Sequence, residues 1–207
     1  MNALRVITCT GPAVAPHLDD LARLRLAVFR DWPYLYEGDA AYERDYLEAY
    51  ARSPRSVFVL ALDGERVVGA STGIPLGDDQ AAFQAPFRAR GDAIETVFYF
   101  GESVLLPAYR GRGIGHRFFD EREAHARALG GFALTAFCAV ERAADDPRRP
   151  ADYRPNDAFW RKRGYVPQDD LFCELAWREV GATAPVPHRL RFWLRPLDAP
   201  RMTAPCP

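Results

Sequence analysis

The fold of this chain is decided by residues 101–129, which read GESVLLPAYRGRGIGHRFFDEREAHARAL. Residues 102–106 predict a buried strand, and Pro107 ends it because proline removes a backbone donor and fixes φ. A glycine-rich segment, residues 110–115, follows and leads into a helical run that stops before Gly130 and Gly131. A strand, a glycine-rich loop and a helix therefore follow one another directly.

The loop between this strand and this helix suits a diphosphate. Its glycines leave backbone N–H groups unobstructed, so that several can converge on phosphate oxygens, and the helix dipole adds a favourable field. Arg110 and Arg112 supply positive charge. The Gly-Lys-Ser/Thr ending of nucleoside-triphosphatase loops is absent, and the glycines are not spaced Gly-x-Gly-x-x-Gly as in dinucleotide-binding folds.

The spacing does match a third pattern, Gln/Arg-x-x-Gly-x-Gly/Ala, with Arg110, Gly113 and Gly115 at its fixed positions. Together with the Leu-Pro-x-Tyr-Arg-Gly segment at residues 106–111, it resembles the acyl-CoA pyrophosphate loop of the GNAT superfamily of N-acetyltransferases. Residues 159–165, FWRKRGY, resemble the late-helix motif of the same superfamily, aromatic-Tyr-x-Lys-x-Gly-Phe. The resemblance implies an acetyl-CoA-dependent enzyme that transfers an acetyl group to a primary amine.

Composition limits the other function classes. The 207 residues carry a formal net charge of −1, which gives no reason to expect nucleic-acid binding or an electrostatic membrane anchor. The first ten residues lack the basic start and the long apolar core of a signal peptide, so we expect a cytoplasmic protein. The cysteines form no metal-ligand cluster with histidine, and free thiols and no bound metal are expected. They are Cys9, Cys138, Cys173 and Cys206.

Hydrophobic periodicity and turn residues predict the element order β, α, α, β-hairpin, β, α, β, α, β, β. Strands are expected at residues 4–8, 56–62, 66–72, 94–106, 132–140, 171–177 and 189–197. Helices are expected at residues 16–29, 41–51, the run ending at 129, and 156–163, with a short one near 80–89. By resemblance this is a mixed α/β GNAT fold: a mostly antiparallel, twisted sheet of about seven strands with one splayed parallel pair, flanked by about four helices. Residues 1–197 would form one domain and residues 198–207 a frayed tail.

The resemblance also implies cofactor-binding residues. Two parallel strands of such a fold separate beyond the proline region, and the opened backbone at Val104, Leu105 and Leu106 would face the pantetheine arm. The pyrophosphate would lie on Arg110, Gly111, Arg112, Gly113, Ile114, Gly115 and His116. Asn156 would reach the cofactor arm, and a plain helix N-cap is the equally supported alternative.

The catalytic groups are harder to assign. Trp160 occupies the late-helix tyrosine position, where an indole N–H is not a useful acid; Tyr153 and Tyr165 are nearby in sequence, but neither is favoured by spacing. Glu102 is the candidate general base, since a carboxylate in an apolar strand is unusual, and a buried partner for an arginine such as Arg122 is the structural alternative.

Other residues near the centre carry weaker signals. Tyr99 and Ser103 fall on the opposite strand face from Glu102 unless a bulge near Gly101 shifts the register. Cys138 is interpreted as a core residue, because no His or Asp stands at a spacing that would support a nucleophile. Tyr42, Tyr46 and Tyr50 recur every four residues and predict a packing stripe on the second helix.

Two loops are candidates for the acceptor side. Residues 31–39 are rich in aromatic and acidic side chains and predict either a hydrophobic plug or a lid over a binding pocket. The segment 75–91 is long enough to be functional or mobile. Acidic and aromatic residues could suit a cationic amine, or they could be ordinary solvated loop residues. They are Trp32, Tyr34, Tyr36, Glu37, Asp39, Asp145 and Asp146.

Two alternatives to a small-molecule N-acetyltransferase stay open. The tryptophan at position 160 is compatible with a non-catalytic, regulatory domain that binds CoA without turnover. An acceptor that is the amine of a peptide or protein is compatible with the two long loops. A homodimer is possible by the resemblance, and no membrane or nucleic-acid partner is expected.

Overall fold

A computed structural model describes residues 4–197 as eight strands and five α-helices. The strands are β1 (Leu4–Thr10), β2 (Val57–Asp63), β3 (Arg66–Pro75), β4 (Val97–Tyr99), β5 (Ser103–Leu105), β6 (Leu134–Val140), β7 (Val166–Arg178) and β8 (Pro185–Pro196). The helices are α1 (Leu18–Phe29), α2 (Ala40–Arg52), α3 (Ala81–Arg90), α4 (Ile114–Leu129) and α5 (Asp157–Lys162). Short 3₁₀ turns occupy Gly11–His17, Leu76–Asp78, Ile94–Thr96 and Pro107–Tyr109. The expected tail, residues 198–207, lies outside the described residues.

The strands form one sheet in the order β1-β2-β3-β4-β6-β8-β7, with β5 paired to β3 beside this path. The β4–β6 pair is parallel, and the other pairs are antiparallel. The predicted mixed α/β fold with a single parallel pair is therefore confirmed, with one strand more than expected, and the short helix expected near residues 80–89 is α3. No helix within residues 4–197 is long and apolar enough to cross a membrane.

Both faces of the sheet are covered, and β2 shows how. Phe58 and Leu60 pack into a core beneath α1, α2 and α3, whereas Val57 and Val59 pack into a second core beneath α4. These side chains are fully buried, because alternate residues of a strand point to opposite faces and both faces carry helices. The uninterrupted apolar run in β2 follows from this arrangement.

The tyrosine stripe predicted on α2 is only partly correct. Tyr50 is buried and Tyr46 is half-buried, but Tyr42 is 59% exposed at the helix start. The helix begins there because the Asp39 carboxylate accepts hydrogen bonds from the backbone N–H groups of Ala41 and Tyr42. Its first turn therefore lies clear of the core.

The single long strand predicted for residues 94–106 is wrong. The chain makes a 3₁₀ turn at Ile94–Thr96, then β4, then an irregular step at residues 100–102, and only then β5. Gly101 lies at this step, where an added Cβ would stand 2.7 Å from both the Tyr50 hydroxyl and Thr72 Oγ1. Thr72 Oγ1 also accepts the backbone N–H of Glu102, which diverts that donor from regular strand pairing.

The parallel strands separate at this step, earlier than the proline region where separation was expected. Pairing of β4 with β6 ends at Tyr99 opposite Ala136, and the Phe100 N–H makes a last bond of 2.7 Å to the Ala136 carbonyl. Beyond that point β5 pairs with β3, and β6 pairs with β8. A gap therefore opens between β5 and β6 from Gly101 onward.

Candidate active site

The gap between β5 and β6 forms the floor of a cleft of about 1190 Å³. One end of the cleft is lined by the glycine-rich loop, including Arg110, Gly111 and Gly113. The other end is lined by α1 and the loop that follows it, including Phe29 and Tyr34. The cleft therefore connects the predicted diphosphate loop with the predicted acceptor loop through the opened sheet.

The glycine-rich loop presents free backbone donors to this cleft. Gly111 and Gly113 have φ of 75° and 78°, a left-handed conformation that favours glycine, and Gly113 is the N-cap of the sixteen-residue helix α4. Within the described chain, the N–H groups of residues 111–115 donate to no protein acceptor. Because they sit at the positive end of a helix, these amides can bind an anion without breaking any existing bond.

The two arginines of the loop differ in position. Arg110 lines the cleft and donates from Nε to the Leu105 carbonyl at 3.2 Å. Arg112 does not line it, since its guanidinium donates to the Ala108 carbonyl and lies 5.3 Å from the centre of the Tyr109 ring. Three further exposed arginines line the cleft and make no carboxylate ion pair among residues 4–197. They are Arg149, Arg154 and Arg161.

The predicted pantetheine residues are divided by the pairing of β5. Val104 is opposite Ala70 with its side chain fully buried in the core, and the Leu106 N–H donates to the Val68 carbonyl at 3.0 Å. Neither lines the cleft, whereas Ser103 and Leu105 do. Because backbone groups alternate in direction along an antiparallel strand, the N–H groups of Ser103 and Leu105 point away from β3 and into the gap.

Glu102 lies in the cleft wall but is shielded. It is 7% exposed, its Oε2 is 2.7 Å from Arg25 Nη1, and neither carboxylate oxygen reaches solvent. Its Oε1 has no hydrogen-bond partner in the described structure. The structural alternative, a buried pair with an arginine, is thus present with Arg25 and not with Arg122, whose guanidinium donates to the Glu102 carbonyl at 3.2 Å.

The two buried arginines have opposite electrostatic surroundings. Burial disfavours the charge of Arg25, but the carboxylates of Glu102 and Glu43 outweigh this cost and raise its pKa. Arg122 donates to backbone carbonyls and to Ser103 Oγ, and burial lowers its pKa to about 10. Arg25 is thus a full ionic partner of Glu102, and Arg122 supports the backbone around the gap.

The acceptor end of the cleft is built by side chains that sequence reasoning assigned only loosely. Tyr34 packs its ring against Phe29 at 4.7 Å and Trp177 at 5.8 Å between ring centroids. Cys138 also lines the cleft, with its Sγ 3.1 Å from the Tyr99 hydroxyl. Burial raises the pKa of the Cys138 thiol well above its ordinary value, so the uncharged thiol is favoured and its interpretation as a packing residue is supported.

The late helix contributes Asn156 and Trp160. Asn156 precedes α5, makes no side-chain capping bond and lines the cleft. The Trp160 ring also lines the cleft and packs against Phe137 and Trp193 at 5.0 and 5.1 Å. Tyr165 is 1% exposed and bonded to Thr135 Oγ1 at 2.9 Å, so it does not reach the cleft.

Comparison with solved structures reproduces this architecture at low sequence identity. A protein of Salmonella typhimurium solved with its cofactor acetyl-CoA aligns with a TM-score of 0.56 at 12% identity, covering 98% of this chain and 99% of that one. A ribosomal-protein-alanine N-acetyltransferase of Brucella melitensis aligns at 0.59 and 14% identity over 92% and 99%. A polyamine N-acetyltransferase of Drosophila melanogaster aligns at 0.56 and 13% identity over 93% and 100%. These likenesses establish the fold alone.

The sequence itself identifies the family. No curated protein matches the chain. The model of the acetyltransferase (GNAT) family, however, matches residues 21–150, which include the break at Gly101, the glycine-rich loop and α4. The chain therefore belongs to the GNAT acetyltransferase family.

Proposed function

We propose that this protein is an acetyl-CoA-dependent N-acetyltransferase that acetylates a primary amine by direct attack on the thioester. The observation that carries the proposal is the set of free N–H groups of residues 111–115, at the start of α4 and open to the cleft. Membership of the GNAT acetyltransferase family supports acetyl transfer. That the acceptor is a primary amine is itself part of the proposal.

The positive charge of the cleft supports CoA as the carrier of the acetyl group. A pyrophosphate on the free amides would have Arg110 beside it, and Arg149, Arg154 and Arg161 are available for further phosphate charge. The pantetheine arm would run along the free edge of β5, where Ser103 and Leu105 present backbone donors. His116 lies at the loop as well, with its ring 4.9 Å from Phe159.

The chemistry follows from the opened sheet. A backbone N–H at the gap is a fixed donor for the thioester carbonyl, and it needs no reorganisation as negative charge grows on that oxygen. The attacking amine must be neutral and must lose a proton as the amide forms. Glu102 is the candidate acceptor of that proton because it lies in the cleft wall with Oε1 unpartnered in the described structure.

The alternative is a CoA-binding domain without turnover. Two observations favour this alternative. Trp160 occupies the position where the family pattern has tyrosine. Both carboxylate oxygens of Glu102 are shielded from solvent, and Oε2 is paired with Arg25. Such a domain would bind CoA, as the enzyme would, but it would transfer no acetyl group to any amine.

The two proposals are separated by two measurements on the same preparation. Calorimetric titration with CoA tests the loop, and the absence of binding overturns both. Release of CoA thiol from acetyl-CoA, measured with a panel of small amines and with a peptide array, tests transfer. One amine acetylated faster than its uncatalysed rate excludes the non-catalytic alternative. Whether that amine is found in the small-amine panel or on the peptide array distinguishes a small-molecule acceptor from a peptide acceptor.

A further inference from the structure

One buried arginine in the cleft wall makes no ion pair. Arg122, on α4, lines the cleft but is only 1% exposed. Within residues 4–197 its guanidinium pairs with no carboxylate, and its hydrogen bonds go to backbone carbonyls and one hydroxyl. Burying a cation costs free energy, and a carboxylate partner is the usual compensation. A cation buried without that partner calls for a function, because departures of this kind concentrate at functional sites.

The hydrogen bonds of Arg122 converge on the step where the sheet opens. Nη1 donates to the carbonyls of Thr72 and Glu102 at 3.1 and 3.2 Å, and Nη2 donates to Ser103 Oγ at 3.0 Å. Nε donates to the Phe118 carbonyl, one turn earlier on α4, at 3.1 Å. One guanidinium therefore joins α4 to the backbone that borders the gap between β5 and β6.

The Glu102 carbonyl and the Ser103 N–H belong to the same peptide unit. This peptide is trans, so the two groups point in opposite directions. The carbonyl accepts hydrogen bonds from the Thr72 N–H of β3 at 3.1 Å and from Arg122. The N–H at the other end of the peptide is consequently directed away from β3, toward the gap, where Ser103 is exposed and lines the cleft.

We propose that Arg122 is a positioning residue that holds this peptide and strengthens the Ser103 N–H as the donor to the acetyl carbonyl oxygen of bound acetyl-CoA. The inference rests on the proposed acetyl transfer. A cation bonded to the Glu102 carbonyl draws electron density from the peptide, so the N–H at its other end becomes a stronger donor. As the amine attacks, negative charge grows on the acetyl oxygen, and a donor held in place needs no reorganisation to stabilise it.

The surroundings of Arg122 suit this role. Burial lowers its pKa to about 10, so the guanidinium still carries its charge at pH 7. Its orientation is fixed by the rings of Phe100 and Phe119, whose centres lie 4.1 and 4.8 Å from the guanidinium carbon. Because α4 also carries free amides at its first turn, the same helix would bind the diphosphate and support the donor to the thioester.

The test measures the carbonyl stretching frequency of acetyl-CoA, isotopically labelled in its carbonyl carbon, by infrared difference spectroscopy without an acceptor amine. A stronger hydrogen bond to the carbonyl oxygen lowers this frequency. Arg122→Met removes the charge, and Arg122→Lys keeps the charge with fewer donors. The matched control is Arg195→Met, which removes another buried guanidinium on β8 that pairs with Glu123 and does not line the cleft. Thermal unfolding and calorimetry with CoA show that each variant is folded.

We expect the wild type to lower the frequency relative to free acetyl-CoA in water. Arg122→Met should lose about half of this shift or more, Arg122→Lys should lose a smaller part, and Arg195→Met should retain it. For CoA release with hydroxylamine as the acceptor probe, Arg122→Met should lower kcat at least about tenfold and change KM for acetyl-CoA less than about threefold. Arg195→Met should stay within about twofold of the wild type in kcat.

An unshifted band in the wild type would overturn the proposal, and so would a shift retained in full by any Arg122 variant that binds acetyl-CoA. Equal losses in Arg122→Met and Arg195→Met would leave Arg122 a structural role alone. The spectrum needs no turnover, so it decides the role of Arg122 even if hydroxylamine is not acetylated. Absence of CoA binding by the wild type is a different result, because it removes the proposed function itself.

Discussion

Arg25 Nη1 on α1 lies 2.7 Å from Oε2 of Glu102, and Nε of the same guanidinium bonds the buried carboxylate of Glu43. The guanidinium also packs between the rings of Phe29 and Tyr46, at 5.0 and 4.3 Å from their centroids. One arginine therefore pairs with two buried carboxylates and connects α1, α2 and the irregular step before β5.

Removing this cation should cost the fold more than any surface charge does. Arg25→Leu leaves two carboxylates buried without a counter-charge, and we expect the free energy of unfolding to fall by about 3–5 kcal/mol. Urea denaturation measures it. Arg44→Leu breaks exposed pairs with Asp19 and Glu48 and should leave the midpoint nearly unchanged. Equal losses in the two variants would show that the buried cluster does not stabilise the fold.

Glu102 and Glu43 share Arg25, but only Glu102 lines the cleft. If Glu102 accepts the amine proton, Glu102→Gln should lower kcat by about 10²–10⁴-fold, whereas Glu43→Gln should affect stability and leave kcat close to wild type. Thiol release from acetyl-CoA with the best amine of the panel measures both. Similar kcat values for the two variants would assign Glu102 a structural role.

The glycine-rich loop offers a matched pair of substitutions. Gly113 at the start of α4 and Gly91 at the end of α3 are both left-handed, with φ of 78° and 85°, and an added Cβ has no neighbour within 4 Å at either. Gly113→Ala and Gly91→Ala should therefore cost similar backbone strain, roughly 1–2 kcal/mol. Only Gly113→Ala should weaken CoA binding, by about tenfold in a calorimetric titration. Equal CoA affinities would show that the phosphates lie elsewhere.

Asp79 should make stability depend on pH. Burial raises its pKa from an ordinary value of 3.8 to about 6, against the hydrogen bonds from Tyr50 and the Gln80 N–H and with the added repulsion of Glu102. The folded state thus holds this proton more tightly than the unfolded state, so stability is lost as pH rises from about 4 to 6. At pH 7 the cost is about 3 kcal/mol, by the usual conversion of pKa differences.

Asp79→Asn should remove that cost. We expect the variant to be more stable than the wild type at pH 7, with the difference shrinking toward pH 4, where the carboxyl is protonated in the folded state and about half protonated in the unfolded state. Urea midpoints at the two pH values measure this difference. A variant that is less stable at pH 7 would show that the ionised Asp79 is compensated by the Tyr50 hydroxyl.

The features that could be predicted from sequence are local. The glycine-rich loop, the helix after it and the β2–β3 hairpin at Asp63 and Gly64 depend on residues adjacent in the chain. The step at Gly101 was predicted only as a bulge site within one strand. Its cause is the approach of Tyr50 and Thr72, which lie far away in sequence.

The details of the site depend on such distant pairs. Arg25 and Glu102 belong to elements that are far apart in the chain. The sequence pattern suggested Arg122 as the partner of Glu102 because Arg122 lies on the next helix. Tyr34 carried a signal, as an aromatic residue in a loop bounded by Pro33 and Gly38. Only the folded chain shows that Tyr34 lines the cleft while the phenols of Tyr99 and Tyr165 are bonded inside the protein.

Backbone pairing across the centre of the sheet has a mechanical consequence. Among the named strands of the described chain, β1, β2, β3 and β5 are joined to β6, β8 and β7 only by β4, which is flanked by the bonds from the Phe100 N–H to Ala136 and from the Ala133 N–H to Thr96. A long ligand lying in the gap would bond both groups of strands at once. Coenzyme affinity and resistance to unfolding should therefore rise and fall together, even for substitutions in β4 that no ligand atom touches.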